Sequence, residues 1–139
     1  MPNRVPWEPD FAVGHALVDA QHRGLLAQCN LLADLCLAGD GEDSRRGFDQ
    51  AFEQLKVLAR QHCETESSLL ARGDFPDLED HRIEFEEFEY LAGEIATTGN
   101  FDRLELQRFL AVWCLGHIRG TVDAQRAYLA GGQAATPRT

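Results

Sequence analysis

The sequence predicts an all-α protein, an antiparallel up-down-up-down four-helix bundle with an extended N-terminal arm. Two observations predict it. Three turn-like clusters, Ala38-Gly39-Asp40-Gly41, Arg72-Gly73-Asp74-Phe75-Pro76-Asp77 and Thr97-Thr98-Gly99-Asn100, divide the chain, each with Gly or Pro to end one helix and Asp or Asn to cap the next. The segments between them carry apolar residues at steps of three and four, the period of a helix buried on one face, and none sustains a period of two. Helices are expected near 19–38, 42–72, 77–97 and 102–129, and short connections between such helices make neighbours antiparallel.

The first stripe is His22, Leu25, Leu26, Cys29, Leu32, Leu35 and Cys36. The second is Phe48, Phe52, Leu55, Ala59, His62, Glu66 and Leu69. The third reads Leu78, His81, Phe85, Phe88, Ala92 and Ile95, and the fourth Leu106, Leu110, Trp113, His117, Gly120 and Ala124. Residues 1–18 form an arm expected to pack Trp7, Phe11 and Val13 on the bundle, and residues 131–139 a frayed tail.

At 139 residues the chain suits one domain with one core, and 44% hydrophobic with 26% charged residues is ordinary globular composition rather than disorder. With 13 Lys and Arg against 23 Asp and Glu, the net charge is −10. Nucleic acid and anionic membrane surfaces are therefore not expected as partners. No apolar run is long enough to span a bilayer and no secretory leader is visible, so the expected location is cytoplasmic. The four cysteines, Cys29, Cys36, Cys63 and Cys114, form no Cys-x-x-Cys pair and are read as reduced thiols.

Polar residues interrupt the stripes in an ordered way. His22, His62, His81 and His117 each take a core position on a different helix, and Glu66 follows His62 one turn along the same face. A buried carboxylate without a partner costs several kcal/mol. One histidine on an apolar face is commonly a core residue bonded to a carbonyl, but one per helix with a coaxial Glu is a ligand set for a first-row transition metal. His15 lies in the arm, outside any stripe, and is expected to be a surface or packing residue.

The residues Trp7, Val13-Gly14, Val18-Asp19-x-Gln21-His22 and Leu25, then His62-x-x-x-Glu66, Phe75-Pro76-Asp77 leading to His81, and Trp113-x-x-x-His117-Ile118 resemble a bacterial hemerythrin in order and spacing across nearly the whole chain. The resemblance implies a four-helix bundle holding two non-haem irons, with O2 bound reversibly at one. It implies that His22 and His62 ligate the iron that meets O2, that His81 and His117 ligate the other, and that Glu66 bridges them. The implied pocket residues are Leu25, Cys63, Phe85, Trp113, Cys114 and Ile118.

The sequence departs from the pattern in two ligand positions. The family's second third-helix histidine is here Phe85, and its bridging Asp on the fourth helix is here Val122, with Asp123 one residue later. One residue rotates a side chain by about 100°, so Asp123 reaches the site only through a one-residue bulge or a re-registered helix, which Gly120 would ease. Glu84 and Glu89 flank Phe85 as substitutes or as solvated surface acids. By resemblance Cys63 and Cys114 are smaller than the side chains they replace, which opens space beside the site. Core packing is their simplest role, and soft-metal ligation or oxidation sensing the alternative. The expected function is non-enzymatic binding, carriage or sensing of O2 or a related small molecule. The alternative is a diverged binding or signalling module, with an unassigned partner, that keeps one metal or another ligand and lacks reversible O2 binding.

Overall fold

The structure is a computed structural model that describes residues 1–97 and 102–129; the tail expected at 131–139 lies outside the described residues. Four α-helices follow a short 3-10 turn at Pro9–Phe11: α1 (Ala16–Leu37), α2 (Glu42–Arg72), α3 (Leu78–Thr97) and α4 (Arg103–Gly120). A π-helical segment, Thr121–Gln125, continues α4. No strand occurs among the described residues.

The side-chain pairings show the antiparallel order. Gln21 of α1 meets Thr65 of α2, and Gln28, further along α1, meets the Ala51 carbonyl further back on α2. Ser67 meets His81 across α2 and α3, while Arg60 meets Glu89. Glu84 approaches His117 across α3 and α4, and Phe88 meets Trp113. Helix α1 packs most extensively, on α2 and α4, and α3 packs on those two less extensively.

Local chemistry sets the boundaries. Helix α1 begins at Ala16, three residues before the expected position, because His15 is its N-cap: the imidazole Nδ1 accepts from Val18 N at 3.4 Å. Asp19 then takes the backbone amides of Val13 at 2.9 Å and Gly14 at 3.3 Å, locking the arm's turn. Helix α1 ends before Gly39, whose φ of 107° turns the chain left-handedly. Asp102 caps α4 through Leu104 N at 2.9 Å. Gly73, between α2 and α3, faces the end of α4, and a Cβ added there would meet the Tyr128 carbonyl oxygen at 2.7 Å.

The core follows the stripes with two differences. On α2 it is Leu70 that is fully buried rather than Leu69. At the end of α4, Gly120 and Ala124 are exposed, and Thr121 and Gln125 are buried in their place. The arm packs as expected: Phe11 and Val13 are buried, and Trp7 stands edge-on to Phe11 with the Arg23 guanidinium over its ring. Two side-chain amides hold its backbone. Asn30 exchanges two hydrogen bonds with Val5, and the buried Gln107 exchanges two with Asn3 while also donating to Cys29 O.

Candidate metal centre

The four stripe histidines meet Glu66 inside the bundle. Glu66 and His22 are fully buried, and His62, His81 and His117 nearly so. His22 Nε2 lies 2.9 Å and His62 Nε2 2.5 Å from Glu66 Oε2. His81 Nε2 lies 2.8 Å and His117 Nε2 3.4 Å from Oε1. Each carboxylate oxygen therefore faces two imidazoles, one pair drawn from α1 and α2 and the other from α3 and α4. The pairs are those that the resemblance assigns to two separate metals.

The outer sides of the rings show what the inner sides offer. Thr65 Oγ1 donates to Gln61 O at 3.0 Å, which leaves it to accept from the Gln21 amide nitrogen at 3.1 Å. That orientation turns Gln21 Oε1 toward His62 Nδ1 at 2.7 Å, so Nδ1 carries the proton and donates. Burial pushes the His62 pKa down to about 4, so the ring is neutral and its Nε2 presents a lone pair. The lone pair points at Glu66 Oε2, with His117 Nε2 only 3.2 Å away. A charged His117 can donate to that lone pair, but the lone pair and the Glu66 oxygen repel at 2.5 Å unless a cation lies between them. Two donors each about 2.1 Å from a metal lie about 3.0–3.4 Å apart, a span that includes the 3.2 Å between His62 Nε2 and His117 Nε2. The donors of His22, His62, Glu66 and His117 all fall within 4.8 Å of one another. The residues thus fit a bound divalent transition metal, with a neutral imidazole held in the ligating tautomer by an outer hydrogen bond.

The electrostatics of the cluster are divided. Burial lowers the His22 pKa against the pull of Glu66. For Glu66 the cost of burial is outweighed by His117 and His62, and its carboxyl is held well below the usual range. His117 is raised to about 9: burial opposes the charge, but Glu66 inside and Glu84 outside favour it. His117 Nδ1 lies 3.6 Å from Glu84 Oε1, and Trp113 stacks nearly parallel on the ring, centroids 5.1 Å apart. His81 Nδ1 faces Ser67 Oγ at 3.4 Å.

Asp123 is not brought to the centre. The bulge that it required is present as the π-helical segment, yet Asp123 is exposed. The segment starts too late to turn it inward. Thr121 still follows His117 by one ordinary turn, its hydroxyl donating to His117 O at 2.9 Å, and two further residues carry the chain to the far side. Thr121 therefore occupies the bridging side, 3.5 Å from Glu66 Oε2, with Gln125 buried one turn on. Glu89 is engaged by Arg60 at 2.7 Å on the surface, and Glu84 reaches His117 only from outside.

The pocket residues separate likewise. A cavity of about 10 Å³ lies against the centre, walled by Leu25, Ala59, Phe85 and Trp113 together with Cys63 and the rings of His62, His81 and His117. Such a volume holds about one water-sized molecule, so the space expected from the small thiols is largely filled. Cys114 and Ile118 do not line it. Both are fully buried in the main core, where Cys114 packs against Cys29 of α1. All four cysteines are free thiols. The sequence singles out neither Thr121 nor Gln125, because their burial depends on how the end of the fourth helix sits in the bundle. Gln21 stands in the family motif but has no role assigned from sequence, because its contacts depend on the register between α1 and α2.

A family model for the hemerythrin HHE cation binding domain matches residues 13–121. The chain belongs to this hemerythrin family. It is similar to a hemerythrin-like protein of Naegleria gruberi and to one of Naegleria fowleri, each 27% identical over 121 residues, which is 87% of this chain and 90% of the relative. No solved structure matches it.

Proposed function

We propose that this hemerythrin-like bundle holds non-haem iron on His22, His62, His81, His117 and Glu66, and binds O2 or a related small molecule there as a carrier or sensor rather than as an enzyme. The supporting observation is the sharing of Glu66: each of its oxygens faces two imidazoles from a different pair of helices. Iron would supply the electrons that reversible O2 binding draws on. The chain's own residues would keep His62 neutral with its Nε2 lone pair turned inward, keep the carboxylate charged and limit water. Leu25, Ala59, Phe85 and Trp113 line the small cavity, and its size leaves no room for an extended substrate.

A second reading draws support from Phe85 and Asp123. One offers no donor and the other is exposed, so the His81 and His117 side loses the third imidazole of the family pattern, and both sides lose its bridging Asp. On that reading the bundle keeps one metal and acts as a binding module without reversible O2 binding. Anaerobic loading with ferrous iron, with iron counted per chain before controlled exposure to air, separates the two. Two irons and a visible band that reverses when O2 is removed support the first reading. One iron with no reversible band supports the second. Failure to retain any iron overturns both. No helix among the described residues is long and apolar enough to cross a membrane, and the net charge of −10 disfavours polyanions, so the proposed setting is cytoplasmic with a small-molecule ligand.

A further inference from the structure

With Phe85 beside it, His81 is the one donor that α3 offers to the cavity, and the wall opposite carries another. Helices α2 and α3 run antiparallel, and Ser67 meets His81 across them at 3.4 Å. One turn back along α2 and one turn forward along α3, the same register sets Cys63 opposite Phe85. Both line the cavity, together with His62, His81 and His117. One water-sized space is thus bordered by three imidazoles and a thiol, and two of those imidazoles, His81 and His117, also face a Glu66 oxygen.

We propose that Cys63 is a metal ligand, completing with His81, His117 and Glu66 a mixed sulfur and nitrogen position that favours a borderline-soft divalent ion such as Zn2+ or Co2+. The inference rests on the reading that the bundle is a metal centre and adds the donor that its second position lacks. The sulfur leans toward Ser67 Oγ, 3.9 Å away, so ligation requires rotation about the Cα–Cβ bond. The bonding balances without any redox partner. The thiol releases its proton to solvent as the sulfur to metal bond forms, and thiolate is the form that binds borderline-soft ions. Three donors from protein imidazole and carboxylate plus one thiolate give the four-coordinate set that such ions accept.

The test is a Co2+ titration of the full chain followed by absorption. Thiolate ligation gives an intense near-ultraviolet charge-transfer band that imidazole and carboxylate ligands do not give. The expected result is two equivalents bound, with the band growing as the second binds. Cys63→Ala should abolish the band and weaken the second equivalent by more than about tenfold, since even outer partners of metal ligands are worth about 10–100-fold. Cys36→Ala, altering a thiol away from the cavity, should leave both intact. Adding Phe85→His to Cys63→Ala should restore the second equivalent without the band, which separates a lost donor from a damaged fold. Two equivalents bound without the band, or a band that survives Cys63→Ala, would overturn the assignment of Cys63 alone. No binding of Co2+ at all would overturn the metal-centre reading with it.

Discussion

Glu66 concentrates the logic of the centre in one side chain. It is fully buried, carries the negative charge that four imidazoles surround, and divides its oxygens between them. Glu66→Gln keeps the shape and removes the charge, so retained metal should fall below one equivalent per chain, as read by chelator competition. The metal-free fold should lose about 3–5 kcal/mol in denaturant melts, the usual cost of breaking a buried charged network at one member. Asp123→Asn should do neither: the side chain is exposed, and a change there stays within about 0.5 kcal/mol with unchanged metal content. A drop in metal content in Asp123→Asn would show that the end of α4 rearranges on binding. The contrast marks what was legible at this scale. His22, His62, Glu66, His81 and His117 could be identified because each breaks an apolar stripe in phase with it. Asp123 could not be placed, because its position depends on where a π-turn starts, and neither periodicity nor a nearby glycine fixes that.

At the scale of elements, the helices and their antiparallel order could be read from three turn clusters and the 3.6-residue period. What escaped were contacts between distant segments. Gln107 sits in the apolar face of α4 yet is buried because the arm needs it: it satisfies both backbone groups of Asn3 and the carbonyl of Cys29. Gln107→Leu should cost about 1–3 kcal/mol, the penalty for buried polar groups left without partners, and should speed hydrogen exchange at Asn3. Gly73 is a similar case. The sequence marks it as a helix terminator, but the structure adds that α4 returns against it, with the Tyr128 carbonyl where a Cβ would stand. Gly73→Ala should destabilise by about 1–3 kcal/mol, the usual cost of overpacking, measurable as a lower denaturation midpoint. A neutral result would place the end of α4 farther from the α2 to α3 connection.

For the molecule as a whole, the centre and the fold are thermodynamically linked, because the ligands come together only when all four helices are packed. A metal present at a hundredfold excess over its Kd should add about 2.7 kcal/mol to stability, seen as a higher Tm that a chelator reverses. An unchanged Tm with every divalent ion tried would mean that the cluster is satisfied by its own hydrogen bonds. The order of the ligands along the chain gives this linkage a direction in time. His22, His62 and Glu66 are synthesised early, His81 later, and His117 only within the last helix, which also brings the Trp113 ring that covers it. A nascent chain therefore has no finished centre to offer while α4 is still being made. Filling a centre that includes His117 must wait until the fourth helix has been made and folded.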